Sequence, residues 1–276
     1  MEDTILSILA TSPTDQYGVF KQVRNAKMSE ITKALANLQK RHAIHVLGYR
    51  KSMRTGLDIP IYSLGAGSGD KMDVHPLLAG VTSERLVEYD FVALNLLPQG
   101  NHVRILEVGS SGSSLARSIR EFGRGAFQVV GIDLATEGCD ARMDARFAGF
   151  RADSIDQVIS ISTIEHVGLC CGINDRDGDA KVIQEIARIL KIGGNAIISV
   201  PYGRAAAFKK EHRIYDSSSL AKLANPLSLA KKEFYCYSSG KWSGCTQERA
   251  DRASTSNIPS QFHSAACACL LLRKEH

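Results

Sequence analysis

Mostly apolar residues fall into short runs at 103–108, 127–132 and 157–162, each closed by small or acidic residues. Strands buried on both faces of a parallel sheet read this way. Between the first two runs, 115–122 has the make-up of a short helix, so 103–134 reads as strand, helix, strand. A brief third strand is expected just before Asp144. Residues 180–190 form an amphipathic helix that stops at Gly193 and Gly194 and feeds a buried strand at 195–200. Further on come a helix at 217–223 and two strands at 234–237 and 265–272, expected to pair antiparallel. A helix at 83–97 covers one edge of this sheet. Strands alternating with helices predict an α/β fold with an open, mostly parallel sheet.

The first quarter has a different texture. Ser29 is placed to cap a helix over 29–41, with Ile31, Leu35 and Leu38 on one face. Strands at 44–49 and 59–64 flank a charged, glycine-containing turn at 51–56. Three segments follow: a small α+β domain over 1–66, a linker over 67–82 containing glycines and Pro76, and the α/β domain over 83–276. Helices followed by such a hairpin resemble a winged helix-turn-helix domain, with 29–41 as the groove-entering helix and 51–56 as the wing.

Charge sharpens this division. The chain of 276 residues carries a net charge of +5. Residues 1–66 hold nine basic and five acidic side chains, whereas the remainder is nearly balanced at 25 to 24. Lys33, Lys40, Arg41, Arg50, Lys51 and Arg54 are therefore candidates for DNA phosphate contacts; the competing reading is a solvated face on a module that pairs subunits as a homodimer. With 44% apolar residues the chain can bury a sizeable core. No run reaches membrane-spanning length, and MEDTILSILATSPTD lacks the basic start of a signal peptide, so a cytoplasmic protein without membrane contact is expected. Seven cysteines with no C-x-x-C pair indicate neither a disulfide framework nor a zinc site and are expected to be free thiols.

The chemistry concentrates at strand ends. Glu107 sits inside an apolar run, where a carboxylate is costly unless something binds it. Gly109, Ser110, Ser111, Gly112, Ser113 and Ser114 form a loop of minimal side chains whose amides open the next helix, and Asp133 closes the second strand. A dinucleotide site calls for three glycines in this loop and places pyrophosphate on the helix N-terminus. Glu107 would repel that group, and only two glycines are present. A cationic ligand with an amino group and a sulfonium suits Glu107 better, and a ribose suits Asp133, which points to S-adenosylmethionine. The fourth strand delivers Thr163, Glu165 and His166 to its carboxyl end. Asp175, Asp177 and Asp179 approach the spacing of a calcium loop, but its glutamate and glycine positions hold Ile186 and Ala180; the segment is expected to cover the active site instead.

The order ILEVGSSGSS, VVGIDL, MDAR, DQVISISTIEHVG and ARILKIGGNAIISVPYG resembles the class I S-adenosylmethionine-dependent methyltransferases. SISTIEHVG followed by DGD and HRIYD is similar to a subgroup of predicted methyltransferases, some associated with surface-sugar genes. The resemblance implies a Rossmann-like methyltransferase sheet with cofactor contacts from Glu107, Gly109, Gly112, Asp133 and Asp144. Thr163 and Glu165 would line the pocket, and His166 would face the methyl group. Arg213 and Tyr215 would meet the acceptor, a hydroxyl on a small molecule, sugar or glycan whose proton His166 removes. Ser111 departs from the glycine frequent in the family and narrows the methionine space. The motifs for amino-methylation of DNA bases and for cytosine carbon methylation are both missing after the fourth strand. The alternative is a DNA-binding regulator whose methyltransferase-like domain senses cofactor or has lost turnover.

Overall fold

The computed structural model describes residues 2–11, 14–15, 19, 22–23, 27–40, 44–51, 58–64, 72, 83–97, 102–123, 125–135, 137–170, 172–204, 212–253 and 264–276. The chain divides into two compact units, Met1–Asp73 and Val74–His276.

In the first unit, α1 (Glu2–Thr11), β1 (Thr14–Asp15), α2 (Met28–Lys40), β2 (Ile44–Lys51) and β3 (Asp58–Leu64) follow in order. The strands pair antiparallel as β1-β3-β2. Ile31, Ala34, Leu35 and Leu38, recurring every three or four residues along α2, are buried against Ile5 and Val19. Lys33 is exposed on α2. Lys40 ends α2, and Arg50 and Lys51 belong to β2. Arg41, Arg54, the rest of the expected wing turn and, apart from Met72, the expected linker lie outside the described residues.

The second unit is built on one eight-stranded sheet. Its strands are β4 (Val103–Val108), β5 (Phe127–Asp133), β6 (Ala141–Arg142), β7 (Ile155–Ile161), β8 (Leu190–Tyr202), β9 (Ser228–Ser238), β10 (Lys241–Cys245) and β11 (Ala266–Arg273). The spatial order is β10-β9-β11-β8-β7-β4-β5-β6. From β6 to β8 all pairings are parallel, while β11 runs antiparallel to both β8 and β9. Strand order reverses between β4 and β7, and in open α/β sheets the crevice beyond the carboxyl ends at such a switch point is where ligands bind.

Helices α3 (Arg85–Asn95), α4 (Leu115–Gly123), α5 (Gly178–Ile189), α6 (Ser217–Ala224) and the short α7 (Gln247–Ala250) accompany the sheet. Val182, Ile183, Ile186 and Ile189 of α5 pack in one cluster with Leu106, Val158, Ile198 and, on β11, Ala266, Ala268, Leu270 and Leu272. The intervening Cys267 turns to the opposite face, where it meets Trp242 and Val87 of α3. β10 pairs with β9, and α7 follows. One expectation is corrected: not all the cysteines are free thiols, because Cys236 and Cys245 form a disulfide between these two strands, while Cys139, Cys267 and Cys269 remain thiols.

Candidate functional site

A cavity of about 250 Å³ opens at the carboxyl ends of β4, β5 and β7. Gly109, Asp133, Asp144, Thr163 and His166, all singled out from sequence, line it together, joined by Ser111 and Val108. The loop after β4 explains how. Gly109 and Ser110 donate their amides to the Ile132 carbonyl at 2.9 and 3.2 Å, so the loop turns straight from β4 onto β5. Gly109 has φ +83°, and a Cβ there would lie 2.1 Å from Thr163 Oγ1. Only glycine meets both demands, and its bareness lets the β4 and β7 ends close on each other.

Asp133 does two jobs in this turn. Its Oδ2 accepts from the Ser111 amide at 3.0 Å and its Oδ1 from the Ala135 amide at 2.9 Å. Each carboxylate oxygen has a further lone pair, so the side chain fixes the loop and still faces the cavity as an acceptor. Asp144 caps the short 3₁₀ turn Ala145–Phe147 by accepting from the Arg146 amide. Its hydrogen bonds from the Arg146 guanidinium hold its carboxyl below the usual aspartate range. Arg146 reaches on to Asp175 at 2.6 Å, and Lys181 reaches the same oxygen at 2.8 Å, tying the turn to the segment before α5.

Glu107 occupies a different place from the one expected. Only 3% exposed, it is not among the residues lining the cavity. It accepts from Ser113 Oγ at 2.6 Å and from the Ala116 amide at 2.9 Å, so it supports the loop from beneath and satisfies an orphan amide at the start of α4. Burial pushes its carboxyl upward despite these donors. Gly112, at φ +70° with nothing near its Cβ position, shapes the loop without lining the cavity. Arg213 and Tyr215 also lie elsewhere, on a separate concavity of about 450 Å³. Arg213 donates to the carbonyls of Glu165, Val167, Asp175 and Arg176 and pairs with Asp179 at 3.2 Å. Tyr215 donates to the same Asp179 at 2.8 Å. Both therefore hold the 163–179 segment in shape.

Beyond β7, Ser162 takes φ +42°, a left-handed conformation uncommon for a side-chain-bearing residue. Its amide reaches Ser199 Oγ at 3.0 Å and its hydroxyl reaches Glu88 at 2.6 Å. Glu88, fully buried, also accepts from Ser199 Oγ at 2.7 Å and Arg85 at 2.8 Å. In the following turn, Ile164–His166, Glu165 is fully buried while His166 lines the cavity. Arg85, Met143, Ser162 and Cys170 are lining residues that sequence reasoning missed. For Arg85 a signal existed: Glu88, three residues on, sits beside Tyr89, Phe91 and Val92 as a charge among apolar residues, and such a charge implies an ion-pair partner. Among the described residues no acidic, histidine or cysteine group is arranged to hold a metal ion, and no helix is long and apolar enough to cross a membrane.

Residues 142–256 match the family described as "Caenorhabditis protein of unknown function, DUF268". No curated protein matches the chain. Similar solved structures include a SAM-dependent methyltransferase from Archaeoglobus fulgidus, 14% identical with TM-score 0.47, covering 73% of this chain and 100% of that one. One from Methanosarcina mazei is 12% identical with TM-score 0.46, covering 66% and 96%. One from Mesorhizobium loti is 15% identical with TM-score 0.46, covering 71% and 99%.

Proposed function

We propose that the protein is an S-adenosylmethionine-dependent methyltransferase acting on a hydroxyl of a small molecule, sugar or glycan. The observation that carries this reading is the pairing of Asp133 at the β5 tip with the side-chain-free Gly109 turn, in one cavity at the switch point of the sheet. The residues present fit the donor's parts. Asp133 offers acceptor oxygens for the ribose diol, and Ile132, Leu134 and Met143 offer apolar walls for the purine beside Asp144. Arg85 offers a guanidinium for the carboxylate. When bound, the donor supplies an electrophilic methyl group on a sulfonium. The chain's task is then to exclude water, orient the acceptor and take its proton, and His166 is the imidazole that lines the cavity to do so.

Calorimetry on the full chain tests the donor. S-Adenosylmethionine should bind in preference to NAD(H), and Asp133→Ala, which removes acceptors from both the loop and the ribose, should weaken it about tenfold or more. Undiminished binding by Asp133→Ala, or preferred binding of NAD(H), would refute the reading. A metabolite and glycan screen with labelled methyl donor, run beside His166→Ala, then tests the acceptor class: the variant should keep donor binding and lose transfer.

A further inference from the structure

We propose that Glu88 is a positioning residue for donor recognition: by holding one nitrogen of Arg85, it leaves the edge formed by Nε and Nη2 to take the donor's carboxylate; this rests on the methyl-transfer reading above. Glu88 is 0% exposed, yet both its oxygens are engaged. Oε2 accepts from Arg85 Nη1 at 2.8 Å, and Oε1 accepts from the hydroxyls of Ser162 at 2.6 Å and Ser199 at 2.7 Å. One carboxylate thereby ties α3, the turn after β7 and β8 together. Arg85 and Ser162 line the cavity, whereas Glu88 lies behind them. Apolar residues of similar volume often serve packing as well as a buried ion pair does, so stability alone does not account for a carboxylate here.

The geometry of a guanidinium gives that carboxylate its work. The Arg85 side chain is 35% exposed, and among the described residues Glu88 is the one group to which its guanidinium donates. With Nη1 held, Nε–H and one Nη2–H remain side by side on a single edge, a fork that meets a carboxylate through two parallel hydrogen bonds. A lysine has one nitrogen and cannot be shared between two carboxylates in this way. Glu84, Glu107 and Glu165 also stand near this guanidinium, but burial raises all three carboxyls and so favours their neutral forms, and none lines the cavity. An arginine held before the ligand arrives loses less freedom on binding than one the ligand must order. The same carboxylate holds the Ser162 hydroxyl, whose residue carries φ +42° in the cavity wall, so the clamp and the wall are fixed by one group.

The test is calorimetry on the full chain with two donors, S-adenosylmethionine and its decarboxylated form, which keeps the ammonium and sulfonium and lacks only the carboxylate. Wild type should prefer the first by about tenfold or more. In Arg85→Ala the ratio should fall to about one, and in Glu88→Leu most of the way there, with affinity for the decarboxylated donor unchanged in both. Adding Glu88→Leu to Arg85→Ala should move the ratio no further. A Glu88→Leu that weakens both donors alike, or keeps the wild-type ratio, would overturn the proposal, because a purely structural role acts on both ligands equally. Should Glu88→Leu fail to fold, ¹⁵N NMR of the ligand-free wild type decides: an Arg85 held by Glu88 must give separate Nη1 and Nη2 signals, assigned by their loss in Arg85→Lys, and one averaged signal refutes the holding. Wild type that binds neither donor refutes the methyltransferase reading, whereas equal binding of the two refutes the clamp and leaves that reading standing.

Discussion

Replacing Gly109 with alanine tests the geometry of the β4 turn most sharply, because Gly112 three residues away is its internal control. Both have left-handed backbones, at φ +83° and +70°, so an alanine at either position incurs about 1–2 kcal/mol of backbone strain. At Gly112 the new Cβ meets nothing within 4 Å, and strain is the whole cost. At Gly109 it would sit 2.1 Å from Thr163 Oγ1 and 2.7 Å from Thr163 Cβ, adding an overpacking cost of about 1–3 kcal/mol. For a unit of this size each kcal/mol moves the melting temperature by about 2–4 °C, so Gly112→Ala should lose about 2–8 °C and Gly109→Ala about 4–20 °C. Trp242, the single tryptophan, is buried in the same unit and reports the transition by fluorescence. In a Thr163→Gly background the steric part should vanish, leaving the two alanines equally costly. Equal melting of Gly109→Ala and Gly112→Ala with Thr163 present would refute the argument that the β4 and β7 ends are packed through the missing side chain.

Other outcomes follow from the buried polar groups. Glu88→Ala strands Arg85 and the hydroxyls of Ser162 and Ser199, and should cost about 3–5 kcal/mol in urea unfolding; a loss below 1 kcal/mol would show that solvent replaces the carboxylate. Glu165 is expected to make stability fall with rising pH. Its folded carboxyl titrates at about 8 against an ordinary 4.5, so the folded state binds the proton more tightly, and the contribution is complete below 4.5 and lost as pH rises through about 8. Glu165→Gln should therefore flatten the decline in melting temperature between pH 6 and pH 9, and an unchanged slope would contradict it. Arg213→Lys leaves a three-donor ammonium where the guanidinium serves four carbonyls and Asp179. Amide exchange in 163–179 should rise at least tenfold, while protection of the α4 amides stays unchanged.

Much of the second unit was legible because its strands are buried on both faces and read as plain apolar runs; β4 spans the expected 103–108. What depends on distant partners was not. β8 begins at Leu190, well before the expected 195, and Gly193 and Gly194 hydrogen-bond with Lys274, 80 or more residues along the chain. No local pattern reports that pairing, nor the one that makes a strand of 241–245. The acid at Glu107 was recognisable as needing a partner, but the direction of its side chain was not, and the loop's own Ser113 and Ala116 meet the need. Glu88, a carboxylate beside Phe91 and Val92, raises the same question as Glu107, but two of its partners, Ser162 and Ser199, come from far along the chain, where no local pattern reports them. That Asp133, Asp144, Thr163 and His166 share one cavity was legible because parallel strands all deliver their carboxyl ends to one rim.

The position of β11 bears on how the chain is made. It is the last strand of its sheet in chain order, yet it lies between β8 and β9, so those two cannot be joined until residues 266–273 have been synthesised. Until then β8 presents an open apolar border, a template for pairing with other chains. The sheet is therefore completed by insertion rather than by growth at its margin, and a nascent chain stalled short of residue 266 is the form most in need of a chaperone.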